Sequence, residues 1–369
     1  MFAGAICRST MKGRLRKARV KWFSVVYRRV YTGVLHFTER KCSNAAIRPP
    51  TLPTAFFISD KQWAHDVIEA SGLSKSSDGH EFVIFHVNPG SGVLIESLQN
   101  LCDHKQIAWE PRKLYRNYMK SLTEAYSTKF AYCSCSFVSD KGLKMLDEVF
   151  PNDGITDDAR YHVKIVGNDP KMYYFIPKLV SLLAGSSKIR LCQFGVIEPI
   201  LIVTGSEYRL MTEAEHLWRK VNFARTPVYE LFLRTELLKT VPLSAFNHAK
   251  QLVLKRARFD YDQENLYIVR LSLREDLDSV CDREDILGLT LLLRVINMQK
   301  AHRAIPAMER LCPDTGLVLL ELGISMMDRF YDVPLSLWPE IYRAVTSSSQ
   351  FSCSALYHIF QQHGVVNSA

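Results

Sequence analysis

The sequence predicts an α/β protein in which a doubly wound, mostly parallel sheet is followed by a small helical domain. Three observations lead to this fold class. Residues 82–87 (FVIFHV) form a nearly continuous apolar run, which is typical of a central parallel strand covered on both faces. A Gly-x-Gly turn follows this run at residues 90–92. Apolar runs then alternate with helical patterns as far as about residue 275, which favours a doubly wound sheet.

The other elements follow along the chain. After the turn, Leu94, Leu98 and Leu101 recur at helical spacing. Further strands and helices are predicted at residues 105–109, 112–122, 129–133, 161–167, 176–184, 194–204 and 266–273. Beyond these, two helices and no further strand are predicted, at residues 286–298 and 304–311. We therefore expect three parts, namely a leader at 1–50, an α/β domain at 51–275 and a helical domain at 276–369.

The positive charge is concentrated in the leader. The whole chain carries +9, but residues 1–50 carry +11, because they hold twelve Lys and Arg and the single acid Glu39. The remaining 319 residues therefore carry −2. An Arg-rich, acid-poor leader with Trp22 and Phe23 between the charges predicts a mitochondrial transit peptide. A basic arm that binds nucleic acid has the same composition and is the alternative. The proline-rich segment 48–53 separates the leader from the fold.

The sequence contains no signal for a membrane span or for a metal site. No apolar stretch reaches the roughly 20 residues that a bilayer-spanning helix needs, so we expect no membrane insertion. The nine cysteines include no C-x-x-C pair and no Cys/His cluster at zinc-ligand spacing. Cys133 and Cys135 stand two residues apart in a predicted strand, and we interpret them as ordinary thiols on one face.

The turn after the first strand predicts a site for a nucleoside cofactor. Gly90 and Gly92 let the backbone approach a ligand without a Cβ atom in the way. Ile95 stands where a dinucleotide fingerprint needs a small residue, which disfavours NAD and FAD. Glu110 follows Gly90 by 20 residues and ends the next strand, where a carboxylate can accept both ribose hydroxyls. Alone, the turn is compatible with an ordinary strand-to-helix connection, and Glu110 with a solvated charge.

Four segments resemble, in order, motifs of the rRNA adenine N6-dimethyltransferases and their mitochondrial transcription factor B relatives. They are residues 57–60 (FISD), 86–92 (HVNPGSG), 166–171 (VGNDPK) and 241–246 (VPLSAF). The resemblance covers nearly everything beyond the leader. It implies a class I (Rossmann-like) S-adenosylmethionine-dependent methyltransferase sheet with a small helical C-terminal domain. Asn88, in place of the loop's first glycine, and residues 193–198 (QFGVIE) are similar to the second, transcription-specialised branch.

The resemblance also implies the residues of the site. The catalytic loop corresponds to Asn168, Asp169, Pro170 and Lys171. S-adenosylmethionine would be bound by residues at the positions of the family's cofactor motifs, namely Phe57, Ile58, His86, Asn88, Gly90, Gly92, Glu110 and Cys135.

Departures from the family pattern predict a degenerate enzyme. Lys171 stands where an aromatic residue stacks on the target adenine, and a lysine has no π-face. Asp169 replaces an apolar residue, and His86 replaces the usual glutamate. The aspartate that binds the cofactor's adenine would fall near residues 133–135, which include no carboxylate. We therefore expect binding of S-adenosylmethionine to be weak or lost, and methyltransferase activity with it.

By this resemblance we expect a mitochondrial transcription initiation factor that acts in the nucleoid of the matrix. It would bind the single-subunit mitochondrial RNA polymerase and promoter DNA, and would be a monomer outside that complex. The favoured nucleic-acid patch consists of three basic residues beside an aromatic one at position 259, namely Lys255, Arg256 and Arg258. Residues 112–120 are a further candidate patch. The alternatives are an active rRNA adenine N6,N6-dimethyltransferase of the small mitochondrial ribosomal RNA, and a nucleic-acid-binding module with neither activity.

Overall fold

A computed structural model describes residues 57–74, 82–137, 139, 141–142, 162–168, 172–184, 197–220, 226–247, 262, 264–299, 301–363 and 365–366. The predicted leader lies outside the described residues. So do Asp169, Pro170 and Lys171 of the predicted catalytic loop and the basic patch at residues 255–258.

Within the described ranges, seven strands form one mixed sheet, and two short strands form a separate antiparallel pair. In chain order the strands are β1 (Phe57–Ile58), β2 (Phe82–Val87), β3 (Lys105–Trp109), β4 (Phe130–Cys133), β5 (His162–Gly167), β6 (Ile197–Thr204), β7 (Leu233–Pro242), β8 (Phe246–Asn247) and β9 (Asn265–Leu273). The sheet order is β4-β3-β2-β5-β6-β9-β7, and β1 pairs with β8.

This strand order confirms the predicted fold class. The first five strands in this order, β4, β3, β2, β5 and β6, are parallel to one another. Strand β9 runs antiparallel to both of its neighbours, β6 and β7. Strand β9 is the last strand of this sheet in chain order. It lies between β6 and β7, the two strands of the sheet that come before it in the chain. A parallel Rossmann-like sheet with this reversed last strand is the topology of class I S-adenosylmethionine-dependent methyltransferases.

The helices cover both faces of the sheet. They are α1 (Lys61–Ser71), α2 (Val93–Gln99), α3 (Arg116–Ala125), α4 (Met172–Leu183), α5 (Gly205–Thr212), α6 (Ala214–Lys220), α7 (Thr226–Phe232), α8 (Leu277–Val280), α9 (Ile286–Asn297), α10 (Ala304–Leu311), α11 (Thr315–Glu321), α12 (Trp338–Ser347) and α13 (Ala355–Gln362). Among the described residues, none of these helices is long and apolar enough to cross a membrane.

Alternate residues of β2 pack into two different cores. Phe82 and Ile84 join the apolar core under α1 and α2. Val83 and Phe85 join a larger core on the opposite face. That second core continues without a break into the C-terminal helices, where it includes Leu292 of α9. The C-terminal helices therefore pack on the sheet and share its core.

Eleven of the described strands and α-helices are absent from the sequence prediction, namely β1, β7, β8, α1, α5, α6, α7, α8, α11, α12 and α13. Helix α1 begins after Asp60, whose side chain accepts backbone hydrogen bonds from Gln62 and Trp63, and it ends before Gly72. Strand β7 lies at the edge of the sheet and, among the residues that the structure describes, pairs on one side only, so much of it is half-buried or exposed and it has no continuous apolar run. One predicted boundary was also too long, because α2 ends at Gln99 and leaves Leu101 outside.

We expect the shared core to make the C-terminal helices essential for stability. Changing Leu292, which is fully buried, to alanine should lower the free energy of unfolding by about 2–5 kcal/mol. The matched change Leu317→Ala, at a residue of α11 that is 70% exposed, should change it by about 0.5 kcal/mol or less. Urea unfolding of the two variants measures both values. Equal losses would contradict a shared core.

Candidate functional site

The turn after β2 has the conformation that its glycines predict. Gly90 and Gly92 have φ angles of 65° and 72°, and helix α2 begins directly after Gly92. Asn88 also lies in the left-handed region, with φ of 55°, and its side chain donates a hydrogen bond of 2.7 Å to the backbone oxygen of Asn168. The asparagine side chain thus fixes the turn against the end of β5.

Parallel pairing brings the candidate residues to one edge of the sheet. Val87, the last residue of β2, pairs with Trp109 of β3 and with Gly167 of β5. The residues that follow these three strands are therefore neighbours, and two of them are Glu110 and Asn168. The carboxyl edge of a parallel sheet is where ligands of doubly wound folds bind.

Glu110 contacts the glycine turn, as the spacing of 20 residues predicts. Its side chain is fully buried, and its Oε2 atom accepts a hydrogen bond of 2.9 Å from the backbone N–H of Gly90. The alternative interpretation of Glu110 as a solvated surface charge was therefore wrong.

The Arg112 side chain donates hydrogen bonds to both oxygens of the Glu110 carboxylate. Its Nε atom donates to Oε1 at 2.7 Å, and its Nη2 atom donates to Oε2 at 2.5 Å. The backbone N–H of Arg112 also donates to Oε1, at 2.9 Å. Together with Gly90, these donors give the carboxylate four hydrogen bonds from the protein itself. A carboxylate has about four lone-pair sites, so its accepting capacity is filled.

This role of Arg112 differs from the sequence prediction, which places the residue in a basic helix at 112–122. In the structure α3 begins at Arg116, and a short 3-10 helix spans Lys113–Tyr115. Arg112 precedes both in extended conformation, and its side chain is 23% exposed. Residues two apart in an extended chain point to the same side, and this spacing from Glu110 could have revealed the pair.

An aromatic side chain covers the glycine turn. The Phe57 ring lies so close to Gly90 that a Cβ atom there would be 2.1 Å from the ring. Phe57 belongs to β1, which the pairing with Asn247 of β8 holds in place. The Arg112 guanidinium lies 5.5 Å from the centre of this ring and 4.8 Å from that of Tyr115, so it also makes cation–π contacts. The close approach that Gly90 permits is used by the protein's own Phe57.

Asn168 lies at the end of β5, beside the turn. It is buried, and its backbone N–H donates to the oxygen of Val87 at 3.3 Å. The preceding Gly167 has a φ of 137°, and a Cβ atom there would lie 2.1 Å from the Val87 oxygen. Glycine at position 167 therefore permits this close approach of β5 to the turn.

His86 is buried within the sheet and not exposed in the pocket. Its Nε2 atom and the Oε1 atom of Gln106 are 2.7 Å apart. Burial lowers the pKa of His86 to about 4, so the ring is neutral near pH 7 and donates this hydrogen bond through Nε2.

The other predicted cofactor residues have local packing roles. Ile58 is buried in the core under α1 and α2. Gly92 packs against α3, where a Cβ atom would meet the side chains of Tyr118 and Leu122 at 3.0 Å. Cys135 lies just beyond β4, with its sulfur 2.9 Å from that of Cys133. Burial and this contact raise the pKa of Cys133 to about 12.

Comparison with known proteins gives matches of fold only. No family model matches the sequence, and no curated protein matches it. A precorrin-6y C5,15-methyltransferase from Geobacter metallireducens aligns with a TM-score of 0.32 and 12% identity, over 61% of this chain and 92% of its own. Geranyl diphosphate methyltransferase in complex with SAM aligns with a TM-score of 0.32 and 8% identity, over 58% and 85%. P. horikoshii TYW2 in complex with MeSAdo aligns with a TM-score of 0.28 and 13% identity, over 56% and 61%. With TM-scores this low, the fold class rests on the strand order.

The buried His86 predicts loss of stability in mild acid. Its pKa is about 4 in the folded protein and about 6.5 in the unfolded chain, so the unfolded chain takes up the proton first as pH falls. The free energy of unfolding should therefore be highest above pH 6.5 and should fall by on the order of 3 kcal/mol as the pH is lowered towards 4. Denaturant unfolding at a series of pH values measures it. His86→Gln should flatten this dependence, whereas the same change at the exposed His65 should leave it as in the wild type.

Proposed function

We propose that the protein is a mitochondrial transcription initiation factor built on a class I methyltransferase fold whose cofactor site no longer binds S-adenosylmethionine well. The observation that carries the cofactor part of the proposal is the set of hydrogen bonds that Glu110 accepts. This carboxylate stands where an adenosine cofactor's ribose would bind, yet its four accepting positions are taken by Gly90 and Arg112. A ribose could bind it only by displacing a partly buried, charge-assisted pair of hydrogen bonds.

The sequence supports the same conclusion on the substrate side. Lys171 and Asp169 replace the residues that would stack on and pack around an extruded adenine. A site that lacks these contacts, and whose ribose carboxylate is filled, is poorly suited to methylate an adenine.

The role in transcription, the mitochondrial matrix nucleoid as its location and the single-subunit RNA polymerase as partner come from the resemblance to the transcription-specialised branch. In this proposal the protein binds promoter DNA as part of the initiation complex and is a monomer outside it.

The second candidate function is rRNA adenine N6,N6-dimethylation. One observation favours it. Asn168, a polar residue of the predicted catalytic loop, lies beside the glycine turn through the hydrogen bond from Asn88 and that to Val87. In an active member of the family the side chain of this asparagine accepts a hydrogen bond from the exocyclic amine of the target adenine, so its placement next to the cofactor turn is the arrangement that methylation needs.

Run-off transcription distinguishes the two functions. With purified mitochondrial RNA polymerase and a mitochondrial promoter, we expect specific transcripts only when this protein is added, at the same yield with and without S-adenosylmethionine. Small mitochondrial rRNA incubated with the protein and the cofactor should give no primer-extension arrest at adenines. Arrest without stimulated transcription would establish the methyltransferase and reject the proposal. Absence of both activities would also reject it and would favour the nucleic-acid-binding module.

Charge reversal of the predicted patch tests whether it binds promoter DNA. The triple variant Lys255→Glu, Arg256→Glu, Arg258→Glu should bind DNA more weakly. The slope of log affinity against log salt should become shallower by about 0.9 for each phosphate that the variant no longer neutralises. A matched control makes the same charge change at three exposed arginines of the helical region, Arg283, Arg303 and Arg310. If both variants weaken binding equally, the effect is one of net charge, and the patch does not bind the DNA.

A further inference from the structure

We propose that Arg112 is a built-in occupant of the ribose site, and that its side chain keeps the ribose of adenosine ligands from Glu110. Removing that side chain should therefore restore binding of a nucleoside with a 2′,3′-diol. The inference rests on the part of the proposed function that treats this cleft as a former cofactor site. It does not depend on the role in transcription.

The guanidinium presents the same hydrogen-bonding pattern to Glu110 as a ribose diol would. Two N–H groups in one plane, on Nε and Nη2, each donate to a different carboxylate oxygen, at 2.7 and 2.5 Å. A ribose offers two adjacent O–H groups to the same two oxygens. The two occupants cannot bind together, because Gly90 and the Arg112 backbone take the remaining lone pairs.

Arg112 has two advantages over a diffusing nucleoside. Its hydrogen bonds are charge-assisted on both sides, whereas a diol is neutral. Its side chain is also attached two residues from Glu110, so it competes at a high effective concentration. The rings of Phe57 and Tyr115 stabilise it further, at 5.5 and 4.8 Å from the guanidinium.

The other groups that surround the guanidinium and the Glu110 carboxylate do not depend on this side chain. The Gly90 N–H and the backbone N–H of Arg112 would still fix the carboxylate of Glu110. Phe57 and Tyr115 would still line the vacated space with aromatic surface, on which a base can stack. The space that the guanidinium leaves therefore has both a diol acceptor and an apolar wall.

Calorimetric titration of the full chain with S-adenosylhomocysteine, adenosine and 2′,3′-dideoxyadenosine tests the inference. If the wild type opens the site in about 1–10% of molecules, Arg112→Ala should bind the first two ligands about 10- to 100-fold more tightly. The gain should be absent for dideoxyadenosine, which has no diol. The control Lys113→Ala removes the same charge at the next, exposed position and should bind like the wild type.

Two further variants keep the test decisive. Arg112→Ala with Glu110→Gln removes the anionic acceptor as well and should abolish the gain. If Arg112→Ala does not fold, Arg112→Lys keeps a positive charge but cannot make the paired hydrogen bonds, and a smaller gain for the diol ligands is then expected. Equal binding by wild type and folded variants, or a gain that dideoxyadenosine shares, would overturn the inference.

The titration uses no polymerase and no DNA, so its outcome is separable from that of the transcription assay. A diol-dependent gain without stimulated transcription would retain the inference and reject the transcription role. Stimulated transcription with no gain in any Arg112 variant would do the reverse.

Discussion

The structure of the candidate site depends on the burial of one carboxylate. Glu110 is fully enclosed, and an ionised carboxylate in such a place is stable only if other groups hydrogen-bond to it and balance its charge. In a cofactor-dependent relative of this fold, part of that requirement would be met by a ribose. Here Arg112 meets it, and the requirement explains why the arginine turns away from solvent into the cleft. Phe57 and Tyr115 then pack around the guanidinium.

The sheet determines that these groups meet. Because β2, β3 and β5 are parallel and in register at Val87, the residues after them collect at one edge. The glycine turn lies over that edge, and Asn88 ties it to Asn168. The antiparallel β1–β8 pair brings Phe57 to the same place from a distant part of the chain. The strand order thus brings these groups to the edge where ligands of doubly wound folds bind, and at that edge Arg112 pairs with Glu110.

The parts of the structure that depend on local pattern could be predicted from the sequence. The apolar run of β2 and the spacing from Gly90 to Glu110 are regular features of a parallel sheet, and the structure confirms both. The edge strand β7 could not be predicted in this way, because a strand paired on one side needs no continuous apolar run. The orientation of Arg112 escaped prediction for a different reason. The sequence predicts a helix at 112–122 for this residue, whereas its backbone is extended, and only in an extended chain does the two-residue spacing put its side chain on the same side as that of Glu110.

The pairing of Arg112 with Glu110 is tested most directly by nuclear magnetic resonance of the Arg112 Nε–H group, assigned by its absence in an Arg112→Lys variant. We expect this proton to exchange slowly with water, because it is bonded to a buried carboxylate. We also expect S-adenosylmethionine at low micromolar concentration to leave its resonance unchanged. Exchange as fast as at the exposed Arg310 would contradict the pairing of Arg112 with Glu110. A shift of the resonance on addition of the cofactor would contradict the claim that this pairing keeps the cofactor from Glu110.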